Sequence, residues 1–503
     1  MSTSPYNEAG KLLTRIITEH KSLKTLAFSK NKSKAPCSKV AYAQVCHTLQ
    51  HKSILESILN HDEGRLRKNI QADEVRNIGL LYVLLYELLF GRNGKIRGGG
   101  RLKRNIMKFE KELKEVKGKL MKDGGDGIEK AYVFPRYIRI NTLKTTMEEV
   151  VDTLQKDLTK SQGGTGTGTA SSEDTQCIFC DPHVPDLLVI SPEASIQWHQ
   201  HELVTSGKIV LQDKSSCFSA LAMVHGTHTD EPLEGDYMDA CAAPGNKTSH
   251  LAALIHKSQS QSAGVSKKGN QSKTTPCKIF AFDRSSSRIS ILRDRLSKLV
   301  PLAPAPDQSG TQQSKSSLPE VLTIHEDFLK VDPKDKTYKK VKCILLDPSC
   351  SGSGIIDTPD RLLRPADRGG NQSNGEKGGG KRVETLSNFQ LLILKHAMSF
   401  PQVQRIVYST CSVHDKENEH VVASALDEAN EQIEEDALKW SFVSPLALQG
   451  WGRRGHEVSG LTEEQANCLA RVDGTDGDNT NGFFVSYFER KGASETISTK
   501  LSS

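Results

Sequence analysis

The second half of the chain alternates short apolar segments with helical stretches, and this alternation limits the possible folds more than any other feature of the sequence. From residue 207 onward, apolar runs typical of strands occupy 237–240, 279–282, 321–324, 343–346, 405–408 and 483–488. Segments of helical character lie between them, at 248–256, 286–299, 384–399 and 416–431. Strands that alternate with helices form mostly parallel sheets with right-handed crossovers. We therefore expect an α/β fold built on a doubly wound sheet.

Two further regions precede this sheet. Apolar residues spaced three and four apart across 5–90 predict helices. A strand-like segment at 137–141, followed by a helix from residue 145, predicts a small α/β unit. The expected organisation is a helical, basic region at 1–125, the small α/β unit at 130–205, the doubly wound domain at 207–492 and a flexible tail at 493–503.

Polar inserts lower the hydrophobic fraction of the chain. Hydrophobic residues make up 36% of the 503 residues, less than the ~45–50% usual in globular proteins. Three polar stretches of low complexity lie in the predicted crossovers, at 257–278, 304–317 and 368–381. Such insertions are tolerated because the entropic cost of closing a loop grows slowly with its length. The composition therefore indicates a globular protein with polar inserts rather than a disordered chain.

Positive charge is concentrated between Arg92 and Lys122. This segment holds twelve Lys or Arg residues against three Glu, a local excess of +9 in a chain whose net charge is +6. A solvated helix would explain such a run, and so would a surface that contacts the phosphates of a polyanion. The sequence leaves both interpretations open.

The cysteines and the apolar runs limit the compartment. Eleven cysteines are scattered along the chain, and residues 1–10 lack the apolar segment of a secretory signal. Both observations favour a reducing compartment, in which thiols are buried, catalytic or metal-binding. The longest apolar run, 80–90, is too short to cross a bilayer and includes Glu87. We therefore expect no membrane partner.

Residues that could bind a ligand or take part in catalysis follow the predicted strands. Doubly wound sheets bind their ligands at these carboxyl ends of the strands. The first strand leads into the small-residue loop 239–248, which matches neither G-x-x-x-x-G-K-[ST] nor G-x-G-x-x-G. The second strand is followed by Asp283 and the third by Asp327. Cys350 follows the fourth strand and Cys411 the fifth, so neighbouring parallel strands would bring two thiols to one cleft.

Each of these residues also has an ordinary structural explanation. The loop 239–248 would serve as a plain turn, Asp283 as a helix N-cap, and a lone cysteine as a small buried side chain. Two cysteines in turns at neighbouring strand ends weaken the last explanation. A disulfide switch would use both thiols but needs no ligand cleft, so covalent catalysis fits better. A cationic neighbour such as Lys247 would raise the thiolate fraction at neutral pH.

In their order, these motifs resemble the Sun-domain (RsmB/Fmu-like) family of RNA cytosine-C5 methyltransferases. The resemblance covers roughly residues 130–490 and rests on 239–248, 282–283, 327–328, 347–354 and 408–412, followed by Glu417 and Asn418. The upstream segments 139–142 and 210–216 are similar to further family motifs. The resemblance implies a class I (Rossmann-like) methyltransferase sheet preceded by a small α/β RNA-binding unit.

The family pattern implies four catalytic positions. Cys411 would be the nucleophile, and Cys350 would help release the methylated product. Asp347 would form a hydrogen bond to the N3/N4 edge of the cytosine, and Lys247 is the fourth catalytic position. The chemistry needs a thiol because C5 of cytosine is a poor nucleophile, and thiolate addition at C6 makes C5 enamine-like. The target base must also be presented unstacked.

The same pattern implies S-adenosyl-L-methionine as the cofactor. Asp283 would hold its ribose hydroxyls, with Arg288 nearby, and Asp327 would lie beside the adenine, with Asp347 at the same edge. The methionine side would be lined by Cys241, Ala242, Ala243, Pro244, Gly245, Asn246 and Lys247.

Two positions depart from the usual family motifs. Asn246 stands where a second Gly is usual, and Ser349 makes the usual Asp-Pro-Pro-Cys into Asp-Pro-Ser-Cys. Both variants resemble the eukaryotic subgroup that acts on large-subunit ribosomal RNA. This implies ribosomal RNA or a pre-ribosome as partner and a location in the nucleus, in the nucleolus, and we expect a monomer. The alternatives are methylation of tRNA or DNA, and a ribosome-assembly RNA-binding factor with an idle cofactor cleft.

Two other segments suggest chemistry only weakly. Cys177 and Cys180, with His183 nearby, lack the partner pair that a zinc site needs, so we expect no metal. The Gly- and Arg-rich loop 450–456 is either a mobile loop or a contact to RNA phosphates.

Overall fold

The computed structural model describes residues 5–19, 23–28, 37–71, 77–124, 134–162, 177–192, 196–226, 234–265, 276–301, 318–357, 379–431 and 438–491. The chain forms two compact units, one made of 1–133 with 356–372 and the other of 134–355 with 373–503. No helix in the described ranges is both long and apolar enough to cross a bilayer. The predicted insert 304–317, the predicted tail 493–503 and residues 368–378 of the predicted insert 368–381 lie outside the described residues.

All regular secondary structure described in the first unit is helical. Its helices are α1 (Pro5–Glu19), α2 (Leu23–Phe28), α3 (Lys39–Gln50), α4 (Lys52–Gln71), α5 (Ile78–Leu89), α6 (Arg101–Lys108) and α7 (Glu110–Gly124). Leu13 of α1 and Leu85 of α5 are fully buried in one apolar core. Gly79 lets α5 approach α1 closely, because a Cβ there would lie 2.3 Å from the Gly10 carbonyl oxygen.

Helices α6 and α7 each bury one apolar stripe. Leu102 and Ile106 of α6, and Leu113 and Val116 of α7, pack into the helical core. Their basic side chains lie mainly on the other faces of both helices and are exposed or partly exposed. The predicted basic segment is therefore a pair of amphipathic helices.

A small antiparallel sheet begins the second unit. It contains β1 (Arg136–Ile140), β2 (Ile178–Cys180), β3 (Leu187–Ile190) and β4 (Ile209–Leu211), in the order β2-β3-β1-β4. Helices α8 (Met147–Gln162) and α9 (Glu202–Thr205) accompany it, with a 3₁₀ turn at Trp198–Gln200. Because β4 pairs with β1, this sheet extends past the boundary at residue 205 that the sequence predicts.

The large sheet follows. Its strands are β5 (Asp236–Asp239), β6 (Lys278–Phe282), β7 (Glu320–Ile324), β8 (Val341–Leu346), β9 (Arg405–Thr410), β10 (Lys439–Phe442), β11 (Ala470–Val472) and β12 (Phe483–Lys491). The helices are α10 (Lys214–Val224), α11 (Asn246–Val265), α12 (Ser286–Leu299), α13 (Gly379–Met398), α14 (Glu419–Glu431) and α15 (Glu463–Asn467). Short 3₁₀ turns occupy Phe328–Lys330, Lys336–Tyr338, Asp415–Glu417 and Leu446–Leu448.

The strand order β10-β12-β9-β8-β5-β6-β7 confirms the predicted doubly wound fold. Strands β5 to β9 pair in parallel, and β12 adds antiparallel to β9. β5 lies between β6 and β8, so the chain winds outward from it in both directions. The carboxyl ends of β5 and β8 therefore border the switch-point crevice, where such sheets bind ligands.

Two helix boundaries differ from those predicted. Helix α11 continues to Val265 and so occupies part of the predicted polar insert 257–278. The predicted helix 416–431 is a short 3₁₀ turn followed by α14, which begins at Glu419.

Candidate functional site

A buried aspartate anchors the centre of the crevice. Asp239 ends β5 and is 1% exposed. Its carboxylate accepts hydrogen bonds from the Thr248 hydroxyl at 2.7 Å and the Cys241 amide at 3.3 Å. Burial raises the pKa of Asp239 to about 6, the hydrogen bond from Thr248 opposes this shift, and the nearby Asp347 adds to it. These bonds fix the start of the loop that leads to α11.

The rest of this loop is built from small residues. Ala242 donates its amide to the Phe282 carbonyl at 2.8 Å, which holds the loop against β6. Gly245 has a φ of +105°, and a Cβ there would lie 3.0 Å from Leu292 Cδ1. A backbone that lacks bulky side chains at a strand end allows a ligand to approach closely. Burial raises the pKa of the Cys241 thiol, so this cysteine is a neutral part of the loop.

The next strand places a second carboxylate at the same edge. The Asp283 side chain is 3% exposed and accepts a hydrogen bond from the Ser285 amide at 2.9 Å. Arg288 Nε lies 3.4 Å from its other oxygen and the same guanidinium donates to the Ala243 carbonyl at 2.5 Å. Arg288 therefore ties Asp283 to the small-residue loop.

Asp327, which follows β7, is placed differently. It is only partly buried and accepts a hydrogen bond from the Leu329 amide at 3.2 Å, as the N-cap of a 3₁₀ turn. A structural role thus accounts for one of its oxygens.

The two predicted cysteines meet at the ends of β8 and β9. Cys350 Sγ and Cys411 Sγ lie 3.1 Å apart, within hydrogen-bond distance for sulfur. The bond to Cys411, together with burial, raises the pKa of Cys350 well above its usual value. Cys350 is therefore a neutral thiol that can donate to the sulfur of Cys411.

A lysine–aspartate pair lies beside the cysteines. Lys247 Nζ donates to Asp347 Oδ2 at 2.8 Å and to the Ser216 hydroxyl at 3.0 Å. Burial alone would lower the pKa of Lys247, but Asp347, and to a smaller extent Cys411, outweigh it and raise that pKa. The ammonium therefore stays charged and favours negative charge on its neighbours.

The structure adds a residue to which the sequence assigned no role. Glu417 is fully buried. Its carboxylate accepts bonds from the Ser351 amide at 2.8 Å, the Gln390 amide at 3.0 Å and the Ser412 hydroxyl at 2.6 Å. Ser351 directly follows Cys350 and Ser412 directly follows Cys411, so Glu417 connects the two cysteine loops. Asn418 supports the same loop through its bond to the Ser412 carbonyl at 2.9 Å.

Backbone contacts also hold the cysteine loops together. The Gly354 amide donates to the Cys411 carbonyl at 2.9 Å, and the Gly482 amide donates to the Gly354 carbonyl at 2.8 Å. A Cβ at Gly354 would lie 2.3 Å from the Gly482 carbonyl oxygen. A side chain cannot fit at Gly354, which explains the glycine at this position.

The remaining candidates lie elsewhere. Cys177 precedes β2 and Cys180 is its last residue, while His183 Nδ1 lies 3.0 Å from Lys214 Nζ. In the loop 450–456, Trp451 is buried, and Arg453 pairs with Asp476 and Asp478 at 2.9 and 3.0 Å.

One group of potential metal ligands occurs within the described ranges: Asp415, Glu419 and His456. Arg471 lies 2.7 Å from Asp415 and 2.5 Å from Glu419. An arginine already pairs with both carboxylates, so the cluster is explained as a partly buried ion-pair network.

The crevice thus gathers small-residue backbone, a carboxylate suited to a diol, a charged lysine–aspartate pair and two adjacent thiols. Such a set can hold a nucleoside-type ligand and add a thiol to an electrophilic carbon.

Three family models match the chain. Residues 39–123 match the N-terminal domain of NOL1/NOP2/Sun domain family member 5, and residues 134–212 match the ferredoxin-like domain of the same family member. Residues 228–449 match the model of the 16S rRNA methyltransferase RsmB/F.

Curated relatives align over nearly the whole chain. The 26S rRNA (cytosine-C(5))-methyltransferase nsun-5 of Caenorhabditis elegans is 32% identical over 97% of this chain and 99% of its own length. The 25S rRNA (cytosine-C(5))-methyltransferase rcm1 of Schizosaccharomyces pombe is 34% identical over 95% of this chain and 90% of its own. The 28S rRNA (cytosine-C(5))-methyltransferase of Mus musculus is 33% identical over 96% and 90%.

A solved structure supports the fold. The crystal structure of PH0851 superposes with a TM-score of 0.53 at 17% identity, and covers 97% of this chain and 100% of its own. The resemblance identified from the motifs is confirmed, and the chain belongs to the NOL1/NOP2/Sun domain family, in the member 5 group with an RsmB/F-type methyltransferase domain.

Proposed function

We propose that this protein methylates carbon 5 of cytosine in large-subunit ribosomal RNA, with S-adenosyl-L-methionine as methyl donor. The observation that carries the proposal is the Cys350–Cys411 pair, with sulfurs 3.1 Å apart, beside the charged Lys247–Asp347 pair. The names of the curated relatives supply the substrate class. The arrangement matches the demands of covalent attack on an aromatic base.

The crevice fits the cofactor. The loop from Cys241 to Lys247 would hold its methionine part, because Gly245 and the alanines leave the backbone open to a ligand. Asp283 would accept both ribose hydroxyls, since Arg288 orients its carboxylate, and Asp327 would lie beside the adenine. S-adenosyl-L-methionine supplies an electrophilic methyl group carried on a sulfonium.

Cys411 is the proposed nucleophile. Its thiolate would form a bond to C6 of the cytosine, and the electron pair of the C5–C6 double bond would move onto C5. C5 would then bond to the methyl carbon, and the donor would leave as the neutral thioether S-adenosyl-L-homocysteine. Asp347, held by Lys247 at 2.8 Å, would bond the N3/N4 edge of the base and so keep the ring in place during attack.

Cys350 is proposed to assist release. Transfer of the C5 proton to a base such as water would restore the double bond and expel the Cys411 sulfur as a thiolate. The neutral Cys350 thiol already lies within hydrogen-bond distance of that sulfur. A donor at this position would stabilise the departing thiolate.

The basic helices α6 and α7 and the small antiparallel sheet are proposed to contact the RNA. Arg104, Lys108 and Lys111 are exposed and form no ion pair with the described residues. Free basic side chains of this kind contact phosphates without reading sequence. We further propose that the protein acts as a monomer on ribosomal RNA or a pre-ribosome, in the nucleolus.

The test measures methyl transfer from labelled cofactor by the wild type and by Cys411→Ala. The substrates are large-subunit ribosomal RNA, tRNA and a DNA of matched sequence. We expect the wild type to label the ribosomal RNA, and the variant to lose about 10⁴-fold or more in rate. Cofactor binding, measured by calorimetry, should survive in the variant. Cys180→Ala, which removes an exposed thiol on β2, should keep full activity.

Each part of the proposal can fail separately. Full turnover by Cys411→Ala would remove this cysteine from the mechanism. Labelling of DNA or tRNA instead of ribosomal RNA would overturn the substrate. A wild type that binds RNA but no cofactor would support the idle-cleft alternative.

A further inference from the structure

A fully buried arginine of the small sheet reaches the methyltransferase crevice. Arg139 lies on β1 and is 0% exposed. Within the described ranges it forms no ion pair with a carboxylate, and its NH1 has no hydrogen-bond partner. Burial lowers the pKa of Arg139 to about 10. A buried guanidinium without a carboxylate costs folding free energy, so stability alone does not account for it.

The contacts of Arg139 all lead toward Lys247. One terminal nitrogen donates to the Ser249 hydroxyl at 2.8 Å and to the Asn246 carbonyl at 3.4 Å. That carbonyl belongs to the peptide bond that joins Asn246 to Lys247. Arg139 therefore holds the backbone from which the lysine side chain extends.

A second path reaches the other end of the same side chain. Arg139 Nε donates to Gln212 Oε1 at 2.9 Å, and Gln212 Nε2 donates to the Ser216 carbonyl at 3.3 Å. The Ser216 hydroxyl accepts from Lys247 Nζ at 3.0 Å. The guanidinium thus fixes both the backbone of Lys247 and the partner of its ammonium.

We propose that Arg139 is a positioning residue that sets the Lys247 ammonium against Asp347, and so links the small sheet to the reacting groups. This inference rests on the proposed function. Neither the Arg139 side chain nor its partners Gln212 and Ser249 contact the two cysteines among the described hydrogen bonds, so the effect passes through Lys247. A displacement of about 1 Å at a reacting group can cost roughly 100-fold in rate.

The test compares Arg139→Met and Arg139→Lys with the wild type, all measured under single-turnover conditions on unmethylated RNA that the wild type methylates. Methionine fills the site without a buried charge and should permit folding. We expect Arg139→Met to slow methyl transfer about 10- to 100-fold with unchanged RNA affinity. Lysine keeps one donor and should recover part of the rate.

Asn141 provides a matched control on the same segment. It is also fully buried, and its amide donates to the Gly207 carbonyl at 2.8 Å and the Leu299 carbonyl at 2.7 Å, without contact to the Lys247 network. Asn141→Ala should lower the melting temperature but keep the single-turnover rate of the folded protein. An equal rate loss in Asn141→Ala and Arg139→Met would overturn the positioning role.

A double-mutant cycle locates the effect. Ser216→Ala removes the other partner of the Lys247 ammonium, so combined with Arg139→Met it should slow the reaction little further than Arg139→Met alone. Independent, additive losses would contradict a shared path through Lys247. The variants are compared only after the wild type has been shown to methylate RNA. A failure of the proposed function would therefore appear in the wild type and is distinct from a failure of the positioning role.

Discussion

The helical unit and the sheet unit place their charges in opposite ways. Among the described residues of the helical unit, no Asp, Glu, Lys or Arg side chain is buried, and the core consists mainly of Leu, Ile and Val. The sheet unit buries Arg139, Asp239, Glu417 and Glu419. The described charges of the helical unit are therefore all accessible to solvent and ligands, whereas the sheet unit also places several of its charges inside the protein.

This difference predicts two kinds of mutational effect. Removing a buried charged group leaves its partners without hydrogen bonds in a low-dielectric interior, so the effect is large and confined to that network. Removing an exposed charge changes long-range attraction only, so the effect is small, additive and dependent on salt.

Cys350→Ala should stop turnover after one event. Without the thiol that lies 3.1 Å from Cys411, release of the methylated base would slow on the order of 10³-fold, and the RNA would stay covalently attached. A denaturing gel should show a retarded protein band with RNA present. The double variant Cys350→Ala/Cys411→Ala should show no retarded band. If the band is also absent from Cys350→Ala, the release role is ruled out.

Glu417→Ala should disrupt both cysteine loops together. It leaves the Ser351 amide, the Gln390 amide and the Ser412 hydroxyl without their buried acceptor. We expect a loss of about 3–5 kcal/mol in the free energy of unfolding, measured in urea, and loss of methyl transfer even where the protein remains folded.

Glu419 is the matched control for Glu417. It is equally buried, but its carboxylate binds Arg471 and the His456 amide rather than the cysteine loops. Glu419→Ala should cost similar stability and retain most of the activity per folded molecule. If both variants lose activity in proportion to stability, Glu417 has no special role at the site.

The sequence predicted those site residues whose position depends on strand ends alone. Asp283 and Cys411 directly follow strands of a parallel sheet, Cys350 comes four residues after another strand, and parallel strands end at one edge. The doubly wound fold followed from the same alternation. Short β10 and β11 were not predicted, because segments of three or four residues carry too little periodicity.

Partners distant in sequence could not be predicted in this way. Glu417 bonds an amide 66 positions away, and Arg139 reaches Ser249 across 110 positions. Nothing in the spacing of either residue marks its partner, since their contacts arise only when the loops and sheets have assembled. A buried charged residue is recognisable from sequence only when its motif is already known.

Asp239 should make stability depend on pH. Because burial raises its pKa from 3.8 to about 6, the folded protein keeps a proton between these pH values that the unfolded chain has lost. Its stabilising contribution is full below about pH 4 and declines as the pH rises to 6, by about 3 kcal/mol at most. Asp239→Asn does not titrate, so urea unfolding at pH 4 to 7 should increasingly favour the variant over the wild type. A constant difference across this range would contradict the raised pKa.

The exposed charges of the helical unit should show the opposite behaviour. Arg104→Ala, Lys108→Ala and Lys111→Ala should each weaken RNA binding by a few-fold, with additive losses, and should leave the melting temperature unchanged. The slope of log affinity against log salt should fall by about 0.7 for each lost phosphate contact. Lys114 is the control on the same surface, because its ion pair with Glu110 at 2.6 Å already offsets its charge, so Lys114→Ala should change the affinity less. Equal effects at all four positions would indicate that only the net charge affects binding. Unchanged affinity in the variant that combines the Arg104, Lys108 and Lys111 substitutions would show that this surface does not bind RNA, and would leave the small sheet as the contact.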